Sequence, residues 1–598
     1  MLFALLSLGM ASAPPPDTAR AAQGVEYRIE AVLDEARAVL HGRARLRYTN
    51  RAPAALDTLY FHQHLNAFRP NSAWARRELQ FGERRFQDLG PAEHAFERLT
   101  AVAVAGRAVR PVYPGAPDST VVAVPLPAPL KRGESVTLTL DWQARPSTLP
   151  RRQGRQGRHY DWAQWYPRIA VYERGAWQVQ PLLPQGEFYG EFARYDVTLD
   201  VAADQVLGAT GVPVEGDPGW RLAGRDTFPE ALYRRDAYAR RAAEPLGLLA
   251  ARPAAGRKRV RWLAEPVHHF AWSADPRFRY EGERQEIRCV TTPCPQPPAF
   301  HVLYLPADTT WDDGVALRRT QRALAWLEGL FGAYPWPQLT NLRRIEGGGT
   351  EFPMLVMNGS ASEGLIVHEV AHQYLHGILA NNEWKEGWLD EGLTDFVTSW
   401  YFEEHGRSGV WAQALERARR VERQGLAQPI GWPGAEFRDP GVYGAMTYTK
   451  ASLVMRMLRD LLGEDTMRRV LRTYSERYRF QHVREADFRA VAEEVSGREL
   501  SWFFRQWLHT TATLDYAITD ARTRRLADGR WQTRVEVERR GEAWMPVRLQ
   551  VGDTLRLLES REPRQVVEVV TAERPQAAVL DPQNVLLDVE PANHRAGL

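Results

Sequence analysis

The chain has 598 residues, 44% of them hydrophobic and 25% charged, with a formal net charge of +3. That length predicts three or four domains, each with a full core, and the composition is ordinary for a soluble globular protein. The near-balanced charge offers no footing for nucleic acid or an anionic membrane.

Met1 to Met10 is a short apolar run, and Ala11-Ser12-Ala13 after it matches a small-residue cleavage pattern. Residues 1–13 therefore read as a signal peptide cleaved near Ala13, with a linker over 14–23 that opens on Pro14-Pro15-Pro16, in an exported protein, periplasmic or secreted. The usual basic flank is missing. The run is too short for a permanent span and no later stretch is apolar enough, so no stable membrane anchor is expected.

Residues 24–272 alternate apolar and polar positions, as in Glu26-Tyr27-Arg28-Ile29-Glu30 and Tyr195-Asp196-Val197-Thr198-Leu199, with turn residues between the runs. That pattern predicts an N-terminal antiparallel β domain. The arginines 151, 152, 155 and 158 read as a solvated loop rather than a binding patch. Cys289 and Cys294, the only cysteines, stand in a Pro-rich segment, where export favours a disulfide over a metal or redox pair.

Helical periodicity begins near Trp311 and runs to Tyr334. Ser360-Ala361-Ser362-Glu363 reads as a capping box that starts the next helix. On that helix His368 and His372 are i and i+4, so their imidazoles share one face. Leu365, Val367, Val370, Ala371, Tyr374, Leu375 and Ile378 are the apolar positions that hold it in a core. Two imidazoles fall short of a catalytic zinc set, which needs three protein ligands and an open position. After a turn around Asn381-Asn382, the stretch from Trp388 to Phe396 reads as a second helix and offers Glu391 as the third ligand. Glu369 is too close along the helix to His368 to join that set, and its natural role is general base toward the attacking water. One Zn2+ per chain is expected. Helices return from Tyr448 to Trp507, and beyond Asp515 strands resume around an Asp528-Gly529 turn, which predicts a β-sandwich-sized C-terminal module.

The spacing H-E-x-x-H, eighteen residues, then E inside Trp388-Leu389-Asp390-Glu391-Gly392 resembles the aminopeptidase N family of zinc metallopeptidases, which includes leukotriene hydrolase. Gly348-Gly349-Thr350-Glu351-Phe352 looks like the family's G-x-M-E-N motif, and Tyr448-Thr449-Lys450-Ala451 looks like its Y-x-K-G. Gln164-Trp165-Tyr166-Pro167 and His269-Phe270-Ala271-Trp272-Ser273 look like segments of a bacterial branch. The resemblance implies a multidomain α+β chain: the β domain over 24–272, a thermolysin-like catalytic domain over 273–447, a helical continuation over 448–512 and the β-sandwich-like module over 513–598. It implies that Glu351 accepts the free ammonium group of a peptide, that Gly348 and Gly349 let a substrate strand lie close, and that Tyr448 stabilises the tetrahedral intermediate. Tyr443 matches a second active-site tyrosine, and Gln164 is the local counterpart of a second amine-binding glutamate. The departures are Thr350 for methionine and Phe352 for asparagine, which predict an altered pocket for the first side chain, Ala451 for glycine, and Asp390 for the asparagine before the third ligand.

The reading is thus a zinc aminopeptidase acting on peptides with a free N-terminus. The same zinc residues serve a leukotriene-hydrolase-like epoxide hydrolase. A thermolysin-type endopeptidase differs by one residue in ligand spacing and has no counterpart of Glu351. A non-catalytic binding protein on the same fold typically loses ligands or the base, and here His368, Glu369, His372 and Glu391 are all present.

Overall fold

A computed structural model of the protein describes residues 23–224, 245–284 and 298–598. The signal-peptide reading and the Cys289–Cys294 pair lie outside the described residues.

Period-two alternation builds the N-terminal region. In the strand Gly24–Asp34 the side chains of Val25, Tyr27, Ile29, Ala31 and Leu33 are all buried, while Glu26, Arg28 and Asp34 keep some exposure. This strand sits inside an eight-stranded sheet, between Val39–Thr49 and Ala193–Ala202. The sheet is not wholly antiparallel. Gly24–Asp34 pairs antiparallel with Val39–Thr49 but parallel with Ala193–Ala202, Tyr27 lying opposite Leu46 on one side and Tyr195 on the other. The reason is topological: residues 146–192 leave the sheet for smaller ones before the chain re-enters beside its first strand. Two of those smaller sheets are one of Arg168–Ile169, Leu56–His62 and Val121–Leu130, and one of Val206–Ala209, Trp272–Asp275, His159–Trp162 and Gly154–Gln156. A helix, Ala73–Gln80, interrupts the β region; the Ser72 side chain caps it by accepting from the Ala75 amide at 3.0 Å.

A five-stranded mixed sheet follows, in the order Arg279–Arg284, Ala299–Tyr304, Gln338–Arg343, Leu355–Asn358, Gly349–Phe352. Its edge strand, Gly349–Phe352, turns back antiparallel on Leu355–Asn358. The helix Val315–Phe331 covers this sheet and packs on Glu363–His372. Helices Glu391–Glu404, Ala451–Leu462, Glu464–Arg477, Glu485–Ser496 and Ser501–His509 complete the helical region. The chain ends in a three-stranded and a four-stranded sheet, from Tyr516 to Gly597. No helix among the described residues is long and apolar enough to cross a membrane.

Candidate active site

The helix Glu363–His372 starts at Ser362, but the capping box does not form. The Ser362 side chain makes no cap bond, and Glu363, the first helical residue, instead accepts from Arg322 at 2.8 Å and Tyr401 at 3.0 Å. One turn apart, His368 and His372 bring their Nε2 atoms to 3.1 Å. The helix Glu391–Glu404, preceded by a 3-10 turn over Gly387–Leu389, carries Glu391 to meet them, with Oε2 3.2 Å from His368 Nε2 and 3.4 Å from His372 Nε2. Atoms sharing a tetrahedral zinc at about 2.0–2.1 Å lie about 3.3 Å from one another. The three donors fit that ion without rearrangement.

Each imidazole is oriented from behind. Asp390 Oδ1 lies 2.6 Å from His372 Nδ1, with Thr394 Oγ1 at 3.2 Å, and Asp395 Oδ1 lies 3.1 Å from His368 Nδ1. Carboxylates in those positions fix ring orientation and raise ligand basicity. Burial pushes the His368 imidazole down, but hydrogen bonds to Asp395 and Glu391 outweigh it and raise it to about 10. At His372 burial is likewise outweighed, by Glu391, with the same result of about 10. These surroundings are built to hold positive charge.

The donors open into a cleft of about 490 Å³ that Glu369, Glu351, Glu187, Gly349, Asp395 and Tyr448 help to line. The Tyr448 hydroxyl donates to Glu391 Oε1 at 2.6 Å. Glu369 Oε2 and Glu351 Oε1 are buried with no hydrogen-bond partner among the described residues. Burial raises both carboxyls, opposed at Glu369 by His368 and His372 and reinforced at Glu351 by Glu187. A Cβ built at Gly349 would collide with the Glu369 carboxylate, so only glycine lets the edge strand pass this close. The Gln373 side chain clamps that strand to the histidine helix, donating to the Phe352 carbonyl at 3.0 Å and accepting from the Met354 amide at 2.8 Å. Glu351 is thereby set beside Glu369, with a carboxylate oxygen of each within 4.8 Å of the other.

Residues 356–507 match the Peptidase family M1 domain. The matched segment takes in the histidine helix, Glu391 and Tyr448. Aminopeptidase M1-C of Oryza sativa subsp. japonica is 26% identical over 149 residues, covering 24% of this chain and 17% of its own length. The alanine/arginine aminopeptidase of Saccharomyces cerevisiae is 26% identical over 152 residues, with the same shares of 24% and 17%. The chain thus spans about a sixth of the length of these curated relatives. The fold extends further. The M1 zinc metallopeptidase of Deinococcus radiodurans superposes with a TM-score of 0.54 at 18% identity, over 82% of this chain and 94% of that one. Aminopeptidase A of Legionella pneumophila gives 0.63 at 14% identity, over 95% of this chain and 59% of its own.

The structure rearranges the outer parts of the expected site around the M1 domain. Gln164 is buried with a left-handed φ of 56° and does not line the cleft. Glu187 takes that place, held by a buried ion pair with Arg152, whose guanidinium also lies over the Phe188 ring at 5.4 Å. Burial raises Glu187 to about 7, with Arg152 opposing the shift. Arg152 is therefore buried rather than solvated, and Arg151 is half-buried: Arg151 pairs with Glu346 at 3.3 Å, and the Arg152 amide donates to Glu346 at 2.7 Å. A carboxylate flanked by Gly186 and Gly190 was the available sign of Glu187, and the arginines were its partners. Tyr443 lies behind the cleft, packed edge-on against Tyr448 at 6.1 Å. Gly348, at φ 71°, shapes the turn into the edge strand and does not line the cleft itself. Strand alternation turns both departures from the expected motif to the face opposite Glu351. Thr350 faces away and bonds to Arg344, and Phe352 packs on Phe188 at 5.3 Å, so both substitutions belong to the support of the strand.

Proposed function

We propose that this chain is a zinc-dependent aminopeptidase that removes the first residue of peptides outside the cytoplasm. The observation that carries the reading is a pair of carboxylates, buried Glu351 and half-buried Glu187, lining the same cleft as Glu369 and the three zinc donors. A peptide's terminal ammonium group supplies the charge and donors that Glu351 Oε1 lacks among the described residues. Anchoring the amine there leaves only the first peptide bond within reach of Glu369. The likeness to the Deinococcus radiodurans protein, a relative solved with a Tyr-Ser-Ala substrate, supports the same substrate class.

His368, His372 and Glu391 would hold the zinc, which when bound polarises the scissile carbonyl and acidifies the attacking water. Glu369 takes the proton from that water and delivers it to the departing amine. Tyr448 donates a hydrogen bond toward the oxygen on which negative charge develops, an interaction stronger in the transition state than in the ground state. Asp390 and Asp395 keep the two imidazoles in ligand orientation. The open edge of Gly349–Phe352 offers backbone groups along which a peptide can lie extended.

The test is hydrolysis of one peptide in two forms, with a free and with an acetylated N-terminus, each with and without a chelator. Chelator-sensitive cleavage of the free form alone is expected. Equal cleavage of both forms would replace the exopeptidase reading with an endopeptidase.

A further inference from the structure

The cleft has two ends, set by the two helices that carry the zinc donors. At one end a carboxylate oxygen of Glu351, one of Glu369 and a ring nitrogen of His372 lie within 4.8 Å of one another, so Glu351 stands beside the second histidine. The two helices run past each other in opposite directions. His372 meets Asp390 and His368 meets Asp395, while Glu363, at the start of the histidine helix, accepts from Tyr401 near the end of the other. A peptide held by its ammonium group beside His372 therefore sends its second residue past the zinc donors. It arrives at Leu365, Asp395 and Thr398, which line the same cleft.

That far end is shaped for a particular kind of side chain. On the helix Glu391–Glu404, Glu391, Asp395 and Thr398 are i, i+4 and i+7, so one face presents the metal ligand, a carboxylate and a hydroxyl in turn. The Asp395 side chain is 34% exposed and meets His368 Nδ1 through Oδ1 at 3.1 Å; its second oxygen has no partner among the described residues. Thr398 Oγ1 is buried with no hydrogen-bond partner among the described residues. Leu365 supplies an apolar wall. Beside it Gly364 leaves room, since a Cβ there would touch nothing nearer than Phe402 at 3.8 Å.

Among the described residues no lysine or arginine lines the cleft. A long side chain with a cationic head fits all these features, its methylenes lying on Leu365 and its N–H donors reaching Asp395 and Thr398. An acidic side chain would face Asp395 with no cation in the lining to relieve the repulsion.

On the reading that Glu351 anchors the amine, we propose that Asp395 and Thr398 form a subsite for the second residue of the peptide and select lysine or arginine there over glutamate or aspartate.

The test holds the first residue constant. The zinc-loaded full-length protein is given Ala-Lys-Ala-Ala and Ala-Glu-Ala-Ala, with Ala-Ala-Lys-Ala and Ala-Ala-Glu-Ala as position controls. For release of the first alanine, kcat/KM should favour lysine over glutamate by on the order of tenfold at position two and by less than about twofold at position three. Asp395→Asn lowers kcat for every peptide, because Asp395 also orients His368. The ratio at position two is diagnostic, and in that variant it should fall to within about twofold. In Glu369→Gln, calorimetry should give Kd values for the two position-two peptides in the same order as the wild-type kcat/KM. Equal kcat/KM for lysine and glutamate at position two, an equal preference at position three, or a ratio unchanged in Asp395→Asn overturns the proposal. If Asp395→Asn does not fold or hold zinc, the comparison of positions two and three in the wild-type protein decides alone. Cleavage of acetylated peptides would strike the amine anchor instead, and the free and acetylated pair reads that separately.

Discussion

At the scale of single residues, Glu369 and His368 are chain neighbours for which different duties are proposed, because a helix turns consecutive side chains about 100° apart. Glu369→Gln keeps the size of the side chain and removes the proton acceptor. Its zinc content, read by metal analysis, should equal that of the wild-type protein, while kcat falls by about 10²–10⁴-fold. Loss of zinc in that variant would contradict the role of base. Glu351→Ala acts on a different quantity. KM for a free-amine peptide should rise by at least about tenfold and the preference over the acetylated form should shrink, since a charge-assisted bond is removed. An unchanged substrate profile would take Glu351 out of the amine site.

At the scale of elements, the site depends on how closely the edge strand approaches the histidine helix. Gly349→Ala places a methyl group where the Glu369 carboxylate stands. Zinc content should be retained while kcat drops by about 10²-fold, the size of loss that a displacement near 1 Å produces. Gly348→Ala is the control: its Cβ would meet nothing nearer than Arg344 at 3.4 Å, so its cost falls on backbone conformation and stability rather than turnover. Two π-helical turns also shape the site, Gln373–Ile378 directly after His372 and Gly444–Lys450 carrying Tyr448. Each inserts one residue per turn relative to an α-helix, and such turns gather at functional sites. The first is followed through Gln373, whose side chain holds the edge hairpin.

At the scale of the whole molecule, the β region braces the loop that leads into the edge strand. Asp161 Oδ2 accepts from the Ile345 amide at 2.8 Å, and its other oxygen faces His159 Nε2 at 3.1 Å. Asp275 flanks the same imidazole at 3.3 Å, and Ser273 donates to Asp161 at 2.8 Å. Burial pushes His159 down, but Asp161 and Asp275 outweigh it and raise the imidazole to about 9. Because the folded value lies above the unfolded one of about 6.5, this stabilisation is complete below about pH 6.5 and is lost as pH rises through about 9. The advantage of the wild-type protein over His159→Gln in urea denaturation should therefore shrink by on the order of 3 kcal/mol between pH 6 and pH 10. A pH-independent difference would show that the imidazole is neutral in the fold.

Much of the zinc centre was legible from local order, because helical spacing alone sets His368 and His372 on one face and separates Glu369 from them. Strand alternation likewise announced the β region and the C-terminal sheets, since a half-buried strand must bury every second side chain. What local order does not carry is which distant segments meet. The sequence offered Gln164 for the second amine-side position, yet the fold brings Glu187 there and pairs it with Arg152, a residue that reads as solvated until its partner is known. The parallel entry of Ala193–Ala202, the outward turn of Thr350 and the meeting of Asp395 with His368 were decided in the same way. By itself the sequence determined the residues able to bind zinc and move a proton, because those depend on spacing within an element. The tertiary structure decided the outline of the cleft and the charges buried around it, because those depend on contacts between separate elements of the chain, such as Arg152 with Glu187.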